Sequence, residues 1–169
     1  EEAKKDYKRR RRDVENRNRI HTQKCVRTRM TMECVRRFVV YDKFYLPWSY
    51  DYRGRCYPVA AFLTPQDTDF GKSLLRFYEA SVVNETAIHW LKFHVATQFG
   101  LDKATIKERI KWTQDNEELI TKIATDPIEN QHEWEEADEP WQFLAACEEY
   151  YACVIDRSRD HTNLPIAVD

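Results

Sequence analysis

Residues 44 to 64 interrupt an otherwise helical pattern, and that interruption limits what this chain can fold into. Aromatic and β-branched residues crowd this stretch, Pro47, Gly54 and Pro58 punctuate it, and the three-to-four spacing of apolar residues disappears up to Pro65. Two short strands around a turn at Tyr52 to Gly54 account for the pattern, because glycine supplies the backbone freedom of a tight turn. The expected fold is α+β and predominantly helical, with a few short antiparallel strands set among helices.

Before the interruption the chain reads as a basic helix. From about Asp13 onward, Val26, Met30, Cys34, Phe38 and Tyr41 recur at spacings of three and four, with Arg27, Arg29, Arg36 and Arg37 off that stripe. Such a helix is expected to pack one face and show a cationic one. The run Lys8 to Arg12 precedes the stripe, where like charges repel, so fraying is expected there in isolation.

After it, helices resume. Gly71 to Ala80 reads as a short amphipathic helix, and Asn84 caps a longer one through Phe99 that ends at Gly100. Thr105-x-x-Glu108 is a capping box opening a helix with Ile106, Ile110 and Thr113 on one side. Leu119, Ile120 and Ile123 belong to a further helix that stops before Pro127. The acidic stretch Glu129 to Glu139 reads as a solvated loop anchored by Trp134. Pro140 suits the first turn of a long helix whose apolar face is Phe143, Leu144, Cys147, Tyr150, Tyr151 and Val154. Beyond Asp160 to Asn163, Leu164, Ile166 and Val168 alternate into a final strand.

With 169 residues, 42% of them hydrophobic and 33% charged, the chain is globular with a large wet surface and room for one or two domains. No run of about 18 apolar residues and no charged start leading into an apolar stretch is present, so neither a membrane span nor a secretory signal is readable. Five cysteines without a C-x-x-C pair point to reduced thiols rather than a disulfide framework or a zinc site. The net charge of -2 hides an asymmetry: residues 1 to 43 hold 15 Lys and Arg against 7 Asp and Glu, and the rest 12 against 22. A basic arm on an acidic body is expected if one end meets nucleic acid. A solvated face is the other reading of such a charge run.

The run Asp51-Tyr52-Arg53-Gly54-Arg55 carries the sharpest chemistry. Two arginines flanking a glycine suit guanidinium groups that fork onto phosphate oxygens, and a surface turn with a salt bridge to Asp51 is the alternative. His89 and His94 are five apart and cannot share a metal on a helix. Trp90, Phe93, Trp112, Trp134 and Trp141 sit at helical spacing among Leu and Ile, a packing pattern more than a set of base-stacking platforms. Glu135, Glu136, Asp138 and Glu139 cluster too closely for an acid/base pair, and no glycine-rich phosphate loop or nucleophilic triad is evident.

Taken in order, the motifs resemble those of the single-subunit, bacteriophage-type DNA-directed RNA polymerases, the family shared with mitochondria and plastids. Phe44-Tyr45-Leu46-Pro47 followed by Asp51-x-Arg53-Gly54-Arg55-x-Tyr57 is similar to the family's Asp-x-x-Gly-Arg element in the palm. Lys72-x-Leu74-Leu75, Trp90-Leu91-Lys92-x-His94, Glu108-Arg109-Ile110 and Glu139-Pro140-Trp141-Gln142-x-Leu144-Ala145 follow in matching order. Leu164-Pro165-Ile166-Ala167-Val168-Asp169 resembles the start of the first catalytic aspartate motif, which in the family continues with Gly, Ser/Thr and Cys.

That resemblance implies a map: a basic helical thumb segment over 1–43, a palm segment over 44–79, a helical palm insertion over 80–160, and the first strand of the catalytic motif over 161–169. It implies a monomeric parent that extends nascent RNA on a DNA template from ribonucleoside triphosphates with two magnesium ions, Mg2+ being bound by Asp169. It implies that Arg53, Arg55, Tyr57 and Lys72 hold the template–RNA hybrid, with Asp51 and Gly54 supporting the turn, and that Arg19 and Lys24 on the arm lie along nucleic acid. The second catalytic aspartate and the triphosphate-binding lysine of the family have no counterpart here, so these 169 residues alone are expected to be inactive. The compact spacing and absent transit peptide favour a viral parent in the cytoplasm of an infected bacterium over one in a mitochondrial or plastid matrix. A non-catalytic helical nucleic-acid-binding module and an acidic protein-interaction domain are the competing classes.

Overall fold

The computed structural model describes residues 1–168 and divides into two compact units, Glu1–Leu63 and Thr64–Asp169. As expected, it is predominantly helical with a few short antiparallel strands.

The first unit holds helix α1 (Glu2–Phe38) and strands β1 (Trp48–Tyr50) and β2 (Cys56–Pro58). In the folded chain the helix continues through Lys8 to Arg12, where acidic residues one turn away offset the like-charge repulsion. Asp6 pairs with Arg9 at 2.8 Å and Arg10 at 2.7 Å, and Arg11 with Glu15 at 2.8 Å. Exposed pairs of this spacing are weak and screened by solvent, so they bias the helix rather than secure it. The expected packing of the apolar stripe is corrected: Val26 is 52% and Tyr41 65% exposed, and Thr31 is the buried residue of α1. A 37-residue helix has too little to pack on in a unit whose strands are three residues each. At its end Phe38 stacks on Phe44 with ring centroids 4.8 Å apart.

The second unit contains α2 (Asp69–Ser73), β3 (Ser81–Val82), α3 (Glu85–Phe99), α4 (Ile106–Asp115), α5 (Glu117–Thr125), α6 (Gln131–Trp134), α7 (Pro140–Tyr150), a π-helical turn (Tyr151–Ile155) and β4 (His161–Thr162). Caps set the helix ends where the sequence places them. The Asn84 side chain accepts the Ala87 N–H at 2.9 Å, and Thr105 and Glu108 form the reciprocal capping box. Gly100, at φ 129°, closes α3 in a conformation that other residues resist.

Leu91, Val95, Ile120, Ile123, Phe143 and Tyr150 are the centre of this unit's core, each at most 1% exposed. Phe99 stacks on Trp112 at 4.5 Å and leans on Phe143 at 5.3 Å, so these aromatic side chains serve packing.

Three expected elements change. The helix expected over Gly71 to Ala80 stops at Ser73, because the chain beyond it pairs with a distant segment: Phe77 N–H donates to Asn163 O at 2.9 Å, and β3 pairs antiparallel with β4. The same pairing moves the final strand to His161–Thr162. Leu164 to Val168 has no ladder partner among the described residues, and Leu164 and Ile166 pack against the core instead. The acidic loop contains the short helix α6, pinned by buried Trp134, whose Nε1–H donates to Pro127 O at 2.8 Å.

Candidate nucleic-acid interface

The hairpin of β1 and β2 pairs Trp48 with Pro58, Ser49 with Tyr57 and Tyr50 with Cys56, which brings residues 51 to 55 into one tight turn. Its two ends are tied by Asp51 N–H to Arg55 O at 2.9 Å and Gly54 N–H to Asp51 O at 3.0 Å. Gly54 sits at φ 78° with open space where a Cβ would be, so the glycine is required by backbone conformation rather than by crowding. An L side chain there costs about 1–2 kcal/mol.

Asp51 organises the turn from within. Its Oδ1 accepts the backbone N–H of Arg53 at 2.8 Å and of Arg55 at 2.9 Å, while Oδ2 accepts Nε and Nη2 of Arg53, both at 3.3 Å. The Arg55 N–H above all, with the Arg53 N–H, the Arg53 guanidinium and the Tyr57 hydroxyl, holds the carboxyl below the ordinary aspartate range against the opposing effect of desolvation.

The two arginines are thereby made unequal. Arg53 is spent largely on Asp51 and lies over the Tyr52 ring at 5.5 Å. Among the described residues Arg55 makes no side-chain ion pair or hydrogen bond, and it is exposed. The salt-bridge reading of the Arg-Gly-Arg run therefore describes Arg53, while the Arg55 side chain stays exposed and uncommitted among the described residues. Tyr45, Tyr50 and Tyr52 stand exposed on and beside the hairpin.

Asp51, Arg53, Gly54, Arg55 and Tyr57 are thus brought together in one hairpin. Arg19 and Lys24 are exposed on α1, where Arg19 Nη2 donates to Asn16 Oδ1 at 3.4 Å. Lys72 belongs to the second unit, half-buried in α2. Asp169 lies outside the described residues.

A magnesium site needs several hard oxygen donors converging on one point. No group of three or more His, Cys, Asp or Glu is arranged that way among the described residues, so they do not by themselves make up the metal site that the resemblance implies. All five cysteines are free. His94 is buried in α3, and burial holds its imidazole down to about 4, which keeps it neutral.

Sequence reading passed over Glu149, a carboxylate in the apolar face of α7. Its side chain is 1% exposed, and it pairs with Arg76 at 2.7 Å and Arg159 at 3.0 Å. Its position three residues after Ala146 was a usable signal, since Ala146 is wholly buried. The identity of its arginine partners had none.

A family model described as DNA-dependent RNA polymerase matches residues 81–169. The chain is similar to the mitochondrial DNA-directed RNA polymerase of Neurospora crassa, with 33% identity over 92% of this chain and 11% of that protein. It is 36% identical to the T7 RNA polymerase of Escherichia phage T7 over 82% of this chain and 15% of that protein. Against DNA-directed RNA polymerase 1, mitochondrial, of Arabidopsis thaliana the identity is 32% over 79% of this chain and 14% of that protein. The chain therefore spans between 11% and 15% of the length of these relatives.

Proposed function

This chain belongs to the DNA-dependent RNA polymerase family of phages and mitochondria, and we propose that it is the part of such an enzyme that grips the template–RNA hybrid and leads into the first catalytic aspartate. The parent would perform template-directed phosphoryl transfer from ribonucleoside triphosphates to the RNA 3' end.

The observation that carries this reading is the Asp51 turn. One carboxylate takes two backbone N–H groups and the Arg53 guanidinium, which fixes the backbone at Arg55 and leaves the exposed Arg55 side chain uncommitted. A guanidinium with no partner inside the protein can meet a phosphate without first breaking an ion pair, and a backbone contact is blind to base sequence, as a transcribing enzyme needs. Tyr57 braces the same turn, while Lys72, Arg19 and Lys24 supply further positive charge toward nucleic acid.

In this reading residues 1–43 form a thumb segment, 44–79 palm, 80–160 a palm insertion and 161–169 the entry to the catalytic motif. RNA polymerases of this family generally use magnesium. Asp169 would be one of its ligands, the others coming from outside the described residues, and magnesium would supply Lewis-acid stabilisation of the transferring phosphoryl group. The relatives span phage and organellar enzymes at similar identity, so the parent works in an infected bacterium or in an organelle matrix according to its source. No helix among the described residues is long and apolar enough to cross a membrane.

The test is Asp169→Asn in the full-length parent, read by primer extension and by hybrid affinity. Loss of turnover with affinity kept is expected. Undiminished turnover would leave a nucleic-acid-binding module without catalysis.

A further inference from the structure

We propose that Glu149 is a positioning residue, whose buried carboxylate fixes where the segment leading to Asp169 leaves the helices of the second unit. The inference rests on the reading of Asp169 as a catalytic residue.

Glu149 lies in α7 with its side chain 1% exposed, a position that an ionised group tolerates only with good partners on both oxygens. It has them. Oε2 accepts Nη1 of Arg76 at 2.7 Å and Nη1 of Arg159 at 3.0 Å, and Oε1 accepts the Thr162 hydroxyl at 2.6 Å. Arg76 is 32% exposed and Arg159 57%, so the Arg76 pair is the less screened of the two. The thiol of Cys153 also approaches Oε1 at 3.9 Å, and burial ahead of the nearby carboxylate pushes that thiol up to about 11.

Three separate stretches meet at this carboxylate: the turn after α2, helix α7, and the chain from the π-helical turn into β4. The third is the one that continues to Asp169, seven positions beyond Thr162. It is tied by its backbone as well. Val83 N–H donates to Asp160 O at 2.8 Å, Phe77 N–H donates to Asn163 O at 2.9 Å, and Ser81 pairs with Thr162. Leu164 and Ile166 then rest on the core. Buried ion pairs add little net stability compared with apolar packing, whereas their geometry admits few arrangements. A charged node at this place therefore selects one path for the segment.

Its oxygens divide the work, which makes the role separable. Glu149→Gln removes the charge that answers two guanidinium groups, while Thr162→Val removes one hydroxyl and leaves the arginines paired. In the full-length parent, kcat and KM for ribonucleoside triphosphates on a preformed hybrid are measured per folded molecule, with amide exchange over residues 159–164. Glu149→Gln is expected to lower kcat about 10- to 100-fold, as a small displacement of a reacting group does, with KM within about twofold. Thr162→Val is expected to lower kcat about two- to tenfold, the worth of one hydrogen bond. A glutamine oxygen can still accept the Thr162 hydroxyl, so the double variant should be at least as impaired as Glu149→Gln, and exchange over 159–164 should quicken while α3 keeps its protection.

Phe143→Ala is the structural control, since it loosens the same core without touching this node. If Glu149→Gln keeps wild-type kcat per folded molecule, as Phe143→Ala should, the positioning role is overturned. If Glu149→Gln does not fold, Thr162→Val decides by the same readouts, and unchanged kcat and exchange overturn the role. Asp169→Asn separates the two failures. Turnover that survives it removes the catalytic reading and this inference together, whereas turnover lost in Asp169→Asn but kept in both node variants removes this inference alone.

Discussion

Asp69 Oδ2 accepts the backbone N–H of Trp141 at 2.8 Å, although the two residues are 72 positions apart. Oδ1 takes the next N–H, that of Gln142, at 3.0 Å. A carboxylate from α2 thus caps the first turn of α7, where Glu139 offers no side-chain cap of its own. Its negative charge also suits the positive end of the helix dipole.

Asp69→Ala is accordingly expected to destabilise the second unit by about 1–2 kcal/mol, the usual cost of losing a helix cap. Denaturant unfolding of the chain checks this, with Asp69→Asn retaining part of the stability because its amide oxygen can still accept one N–H.

The Asp51 carboxyl should titrate below the ordinary aspartate range in the folded chain. With its folded value depressed, its stabilisation of the turn is complete above the unfolded pKa and is lost as pH falls through the folded one. NMR should show the Arg53 and Arg55 amide shifts moving at that same low midpoint. A midpoint at or above that of a free aspartate would contradict the hydrogen-bonding seen in the turn.

His94 makes a second pH dependence with the same sign. Its folded value of about 4, set by burial, lies below the ordinary histidine value of 6.5. Its contribution is full above the unfolded pKa and drains away as pH falls from there toward 4, amounting to roughly 3 kcal/mol over the window. Urea midpoints from pH 7 to pH 4 should fall less steeply in His94→Gln than in the unaltered chain.

Arg55→Ala should weaken hybrid binding more than Arg53→Ala, because Arg53 is already committed to Asp51. Each lost phosphate contact should lower the salt dependence of log K by about one, equally for unrelated sequences. Anisotropy titrations of the full-length parent at several salt concentrations measure both. Equal losses from the two variants would contradict the asymmetry of the turn.

Much of this chain was legible without coordinates because the deciding interactions reach only a few residues. Asn84, the Thr105 and Glu108 pair and Gly100 end their helices through contacts within one turn, and Asp51 braces Arg53 and Arg55 two and four positions away. Such contacts leave a spacing that can be read directly. The ordered motifs from Asp51 to Asp169 carried the family in the same way.

Tertiary structure decided the rest. The helix expected to reach Ala80 ends at Ser73, and the last strand forms at His161–Thr162 rather than over Leu164 to Val168, because those two regions pair with each other. The apolar stripe of α1 had the right period and still stayed exposed, since periodicity names a face but not a partner to cover it. Glu149 could be seen among apolar neighbours, yet Arg76 lies 73 positions before it and no local rule joins them. Short-range hydrogen bonds write themselves into spacing; long-range pairing and burial depend on which surfaces meet, and only the folded chain settles that.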